Sequence, residues 1–231
     1  MTPPATHIAR PAPGAPTLLV VPTAREATQL EALGGWGTGR GLQALCGFGP
    51  VAAAARTATL LERYRPRRVL LVGIAGTYDP DRLALGSATT FEAVALDGVG
   101  AGEGADFSSP SSLGLPQWPG GAGTPAGPVH EQLELDPAGR GAGLLLSVCS
   151  AAGGASQVAL RRERFPDALA EDMEGFGVAL ACALAGVPLT VVRGISNLAG
   201  DRRHAGWCVE EALNAARQRV LEVLDARWSA P

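Results

Sequence analysis

Three short segments of the chain hold side chains able to do chemistry on a bound ligand. The first is Val21-Pro22-Thr23-Ala24-Arg25-Glu26, where an apolar run gives way to a carboxylate at the edge on which open α/β sheets take their ligands. On its own Glu26 reads first as an acidic partner for a helix N-terminus and second as a base facing a ligand. The second is Val72-Gly73-Ile74-Ala75-Gly76-Thr77, which reads as a glycine-containing turn after a strand. Backbone can come close to a ligand there, but the dinucleotide fingerprint spacing and the P-loop lysine are both missing. The third joins Glu171-Asp172-Met173-Glu174-Gly175 to Arg193-Gly194-Ile195-Ser196-Asn197. Glu174 opens an otherwise apolar helix, and a carboxylate so placed must be hydrogen-bonded or face a cavity. Sugar hydroxyls would satisfy it, and so would a salt bridge to Arg193; the pattern alone does not choose.

Composition removes several alternatives. The chain has no lysine, so all 19 basic side chains are arginine, and Schiff-base, Ser-Lys and Walker-type chemistries lack their amine. The net charge of -3 and a pI near 5.6 provide no basic field, so nucleic acid is not expected as a partner. Cys46, Cys149, Cys182 and Cys208 lie far apart and read as reduced core thiols of a cytoplasmic protein. With only His7, His130 and His204 beside them, and no ligand spacing, neither a metal nor any other cofactor is expected. No apolar run approaches the roughly 20 residues of a membrane span.

The elements that must position these residues follow from periodicity. Apolar runs at 18–21, 69–72, 87–95, 144–148 and 189–192 read as buried strands, alternating with helices at 25–33, 51–64, 174–185 and 209–227. The fold class implied is α/β, a three-layer sandwich with a central mixed, largely buried sheet flanked by helices. Residues 1–16 carry five prolines and read as a disordered tail, with a single domain over 17–231. Within it, residues 98–129 are rich in Gly, Pro and Ser, a loop long enough to be a lid or a binding loop. Its bulky members, Phe107, Leu113, Leu115 and Trp118, should pack on substrate or on a second subunit.

Taken together, the glycine-containing segment, the Met173-Glu174 pair opening a buried helix and the Arg193-Gly194-Ile195-Ser196-Asn197 segment resemble the purine nucleoside phosphorylase and methylthioadenosine nucleosidase superfamily. With Asp201-Arg202-Arg203 and Trp207 added, the likeness is to its futalosine hydrolase branch. The resemblance implies an N-ribosyl hydrolase that releases hypoxanthine from futalosine in menaquinone biosynthesis, working on a small-molecule nucleoside and water as a homodimer or larger homo-oligomer. It also implies roles. Glu26 would orient and deprotonate the attacking water, and Glu174 would hold the ribose hydroxyls with Met173 against the sugar. Ala75 and Gly76 would line the nucleoside face, Ser196 and Asn197 would meet the base, and Arg193 would position an acidic residue. Trp207 would wall the aryl tail of the substrate, with Arg202 or Arg203 pairing its carboxylate.

General chemistry agrees, because breaking an N-glycosidic bond builds positive charge on the ribose, which a fixed carboxylate stabilises in the transition state. Two departures from the nucleosidases stand out. Asn197 replaces an Asp, and an amide, being donor and acceptor at once, suits the O6 and N7 edge of a 6-oxopurine. The stretch Ser150-Ala151-Ala152-Gly153-Gly154 lacks the aromatic residue that adenine nucleosidases place near the base. The competing readings are an adenine-type nucleosidase acting on methylthioadenosine or aminodeoxyfutalosine, a phosphorylase, and a non-catalytic nucleoside-binding protein.

Overall fold

A computed structural model describes residues 14–121, 123–136 and 141–226. Most of the expected tail, and the last residue of the expected helix at 209–227, therefore lie outside the described residues. In chain order the elements are β1 (Thr17–Val21), α1 (Ala24–Ala32), β2 (Leu42–Leu45), α2 (Pro50–Tyr64), β3 (Arg68–Thr77), β4 (Ala88–Thr90), β5 (Ala93–Asp97), α3 (Pro110–Leu113), β6 (Gln132–Glu134), β7 (Leu144–Val148), α4 (Ala155–Arg164), β8 (Ala168–Asp172), α5 (Gly175–Ala185), β9 (Leu189–Leu198) and α6 (Val209–Asp225).

The strands form one mixed sheet in the order β2-β1-β3-β8-β7-β5-β6, with β9 joined to β3 and β4. Strand β3 is the branch point. One of its edges pairs with β1 along 68–71 and then, antiparallel, with β8 at Gly76 and Thr77; the other pairs in parallel with β9. Because successive side chains of a strand face opposite sides, the unbroken apolar run of β1 divides between two layers. Leu18 and Val20 pack toward α2 and α5, whereas Leu19 and Val21 pack toward α1 and α6. Helix α4 adds Val158 to a third cluster, with Leu146 and Val148, across the sheet from α5. The expected three-layer α/β architecture is the one observed.

The differences from expectation have local causes. Residues 72–77 are not a turn but the continuation of β3, whose register against β9 slips between Ala75 and Gly76. Its glycines serve close approach rather than reversal of the chain. The single strand expected at 87–95 is two, β4 on β9 and β5 on β7, because the buried ring of Phe91 sits where the chain crosses between the two branches of the sheet. Strand β8 had no apolar signature, since it is alanine-rich and ends in Glu171 and Asp172. Short β2 and β6 and the weakly apolar α4 escaped for similar reasons. In the long loop Trp118 packs on the core and Phe107 lies under Arg164, but Leu113 and Leu115 are exposed.

Helix α5 is buried on nearly every side, which suits its lack of charge. It meets α2 at Gly177, where a Cβ would stand 2.2 Å from the Pro50 carbonyl oxygen. Gly177→Ala should therefore force the two helices apart and cost about 2 kcal/mol, in the range typical of overpacking. Urea denaturation checks this, and an unchanged midpoint would show that the helices have slack.

Candidate active site

At the C-terminal ends of β1, β3, β8 and β9 the chain encloses a cavity of about 760 Å³. Open α/β sheets bind ligands at this edge. Of the residues singled out in the sequence, Glu26, Ala75, Gly76, Met173, Glu174, Ser196, Asn197, Arg202 and Trp207 all line it. Arg193 does not. It is completely buried behind the wall and reaches the cavity through its neighbours.

Glu26 is at once a helix cap and part of the cavity wall. It closes a capping box on α1: its Oε2 accepts from the Thr23 amide at 3.1 Å and the Thr23 hydroxyl at 2.6 Å, while its own amide donates to that hydroxyl oxygen. Its Oε1 accepts from the Ile74 amide at 3.2 Å. A helix start and a strand end thus clamp the carboxylate at the cavity rim.

Arg193 organises the other acids. Its Nε and Nη2 donate to Asp172 Oδ2 at 3.0 and 2.5 Å, and Nη2 also reaches Glu174 Oε2 at 3.3 Å. Asp172 in turn accepts from the Ser147 hydroxyl and the Gly175 amide. Glu174 Oε1 accepts from the Gly49 amide at 3.0 Å. Burial pushes the Glu174 carboxyl up to about 7; Arg193 opposes that, and the neighbouring charge of Asp172 adds to it. Arg193 Nη1 is buried with no hydrogen-bond partner. It borders Gly73, where a Cβ would fall 2.2 Å from Nη1 and 2.8 Å from Glu26 Oε1. Glycine there leaves the room that the guanidinium itself fills beside the carboxylate.

On the β9 side the Ser196 hydroxyl donates to Asn197 Oδ1 at 2.8 Å, and Asn197 Nδ2 donates to the Leu198 carbonyl at 2.8 Å. The amide is held yet retains one hydrogen and one acceptor position. Nearer the opening, the Trp207 indole N–H donates to the Asp201 carbonyl, the Arg202 guanidinium lies 5.6 Å from the Trp207 ring centre, and His204 packs on the same ring. Arg203 is turned to solvent and paired with Asp201, so of the two arginines Arg202 is the one at the cavity.

Several contributors were not read from the sequence. Phe48, an aromatic between Gly47 and Gly49, lines the cavity, and Asp172 anchors Arg193. Glu171 also lines the cavity. The signal for Phe48 was an exposed-looking aromatic in a glycine turn; for the two acids it was a pair of charges closing a strand. Cysteine placement also needs correction. Cys46 and Cys182 are core thiols, but Cys149 is exposed and lines the cavity, and Cys208 is half-buried; all four are free. None of the residues at 98–129 lines the cavity among the described residues.

The family model described as the phosphorylase superfamily matches residues 21–226. The futalosine hydrolase of Streptomyces coelicolor is 37% identical over 182 residues, covering 75% of this chain and 74% of that protein. The futalosine hydrolase of Thermus thermophilus is 33% identical over 225 residues, covering 90% and 94%. Among solved structures, a point mutant of the 5'-methylthioadenosine/S-adenosylhomocysteine nucleosidase of Helicobacter pylori, with 5'-methylthioadenosine in its active site, superposes with a TM-score of 0.73 at 18% identity, covering 92% of this chain and 99% of that one. That likeness supports the fold, and the sequence matches support the lineage: the chain belongs to the phosphorylase superfamily, in the family of the futalosine hydrolases.

Proposed function

We propose that the protein hydrolyses the N-ribosyl bond of futalosine, releasing hypoxanthine as a step of menaquinone biosynthesis. The observation that carries this reading is the pair of clamped carboxylates, Glu26 and Glu174, in one cavity. A water held in the cavity by Glu26 has a base to take its proton. Glu174 supplies the sugar contact and the negative charge that stabilises the cationic ribose as the bond breaks.

Two features favour water over phosphate. The polar groups of Thr23 at the start of α1 are already committed to the Glu26 carboxylate, so that site holds an anion of its own. An incoming phosphate would meet this charge at close range. For the leaving group, the remaining N–H of Asn197 can donate to O6 while its oxygen accepts from N7–H as the base departs. Trp207 and Arg202 form the wall and the cation for the carboxylated aryl tail. The apolar side chains that Phe48 and Val51 expose beside the cavity provide the face for a homodimer, and the free thiols suit a reducing cytoplasm.

Incubating the protein with futalosine, aminodeoxyfutalosine, methylthioadenosine and inosine, with and without phosphate, tests the reading. Hypoxanthine released from futalosine at a rate indifferent to phosphate is the expected result, and phosphate-dependent release would replace hydrolysis by phosphorolysis. Glu26→Gln should lower kcat by about a hundredfold or more with little change in KM, as loss of a general base does. The acid limb of kcat/KM should have its midpoint near 7, because Glu174 must be ionised to stabilise the cation. The sign for stability is opposite: a carboxyl raised from 4.5 to about 7 by folding binds its proton more tightly in the native state, so Glu174's contribution falls as pH rises through that window. Glu174→Gln should flatten the acid limb. Arg202→Ala should weaken futalosine cleavage about tenfold or more while leaving inosine nearly untouched; equal losses would remove Arg202 from the tail site.

A further inference from the structure

The long loop touches no part of the cavity among the described residues, yet its first half is tied to the cavity wall. Residues 98–108 fold back on themselves, with Ala101 and Ser108 exchanging backbone hydrogen bonds at 3.0 and 2.8 Å. The closed segment presents the Phe107 ring to the Arg164 guanidinium, whose carbon lies 5.0 Å from the ring centre. A guanidinium so placed is attracted by the face of the ring. Arg164 Nη1 also faces the Gly104 carbonyl at 3.5 Å.

Arg161 and Arg164 are three residues apart on α4, so they share one face of that helix. The face meets Asp97 at the end of β5. Arg164 Nη2 lies 2.8 Å from each Asp97 oxygen, and Arg161 Nε stands 3.5 Å from Oδ2. Arg161 then donates through Nη1 to Glu171 Oε2 at 2.6 Å and through Nη2 to the Ser150 carbonyl at 2.5 Å. Glu171 Oε1 in turn accepts from the Ala152 amide at 2.8 Å. Cation and anion thus alternate from the loop to the wall, in the order Arg164, Asp97, Arg161, Glu171. Asp97, Arg161 and Glu171 are all buried, so salt and water screen their attractions little. Asp97 is what lets two guanidinium groups stand side by side.

We propose that Asp97 is a positioning residue for the hydrolytic site: by holding Arg161 and Arg164 on one carboxylate, it couples the fold of residues 98–108 to the geometry of the wall at 150–152. The inference rests on the hydrolytic reading of the cavity and extends it to residues outside the cavity. With Phe107 under Arg164, Asp97 is held in place, Arg161 keeps the Ser150 carbonyl, and Glu171 keeps the Ala152 amide. With the ring gone, Arg164 is released, Asp97 draws Arg161 toward itself, and both backbone groups of the wall lose their fixed partners. A displacement of about 1 Å, even one caused far from the chemistry, is enough to cost turnover.

Phe107→Ala and Asp97→Asn test the coupling, with Phe107→Tyr as the variant that keeps the ring. Hydrogen–deuterium exchange reads the wall without turnover. The Ala152 amide should exchange about tenfold or more faster in Phe107→Ala and in Asp97→Asn, while the amides of β1 and β9 keep their rates. The kcat/KM for futalosine should fall about tenfold or more in the same two variants, and Phe107→Tyr should match the unaltered protein in both measurements. An unchanged Ala152 amide in Phe107→Ala would show that loop and wall are independent. A rise shared equally by β1 and β9 would mark a general loss of stability instead of a coupling. Either result overturns the proposal. Should Asp97→Asn not fold, Phe107→Ala decides alone, since it leaves every charge of the network in place. The exchange measurement needs no futalosine, so a failure of hydrolysis and a failure of the coupling give different results.

Discussion

A fully buried guanidinium shared by two carboxylates holds this site together. Arg193 has no solvent exposure, and taking such a charge out of water is costly unless it is paired and hydrogen-bonded. Asp172 provides the principal pairing, and it is itself fixed by Ser147 on β7 and by the first amide of α5. The ion pair thereby joins β7, β8, β9 and α5 at the point where the cavity begins. Glu174 receives only the remaining, longer contact. Burial then holds the proton affinity of Glu174 high enough to respond near neutrality, with Arg193 opposing it.

The same constraint shapes β3. Beside Arg193 and Glu26 this strand has no room for a side chain at Gly73, and at Gly76 a Cβ would crowd the Asn197 amide nitrogen at 3.1 Å. The register slip between Ala75 and Gly76 brings Asn197, rather than Ser196, opposite the second glycine. Ser196 is then free to turn its hydroxyl onto the Asn197 oxygen. What looks in the sequence like a turn motif is a strand carved to admit a ligand.

Much of this was legible in the sequence because strong local signals and chemistry coincided. Apolar runs at β1, β3, β7 and β9 marked the sheet, and Glu174 at the head of an all-apolar helix demanded a polar partner. The balance was hidden where function overrides propensity. Strand β8 ends in Glu171 and Asp172, residues that no strand pattern favours, since their partners Arg161, Tyr78 and Arg193 come from distant segments. Helix α4 is weakly apolar because Arg161 spends its burial on that network rather than on packing. Phe48 could not be placed, because the glycines around it specify no register. The sequence posed helix cap and ligand-facing acid as alternatives for Glu26, and the structure shows one carboxylate that caps the helix through Oε2 and meets the Ile74 amide through Oε1 at the cavity wall.

The wall at 150–152 shows how the parts depend on one another. A stretch of small residues offers a bound ring little stacking surface on this wall, which leaves orientation on this side to hydrogen bonds. Edge contacts are useful only if their donors and acceptors are fixed to within a few tenths of an ångström. A glycine- and alanine-rich loop cannot fix itself, having no side chains with which to do so. The network of Arg161, Glu171 and Asp97 does it instead, tying the Ser150 carbonyl and the Ala152 amide to charged groups anchored in β5, β8 and α4. In this wall a buried ionic brace thus supplies the rigidity that bulky side chains would otherwise give.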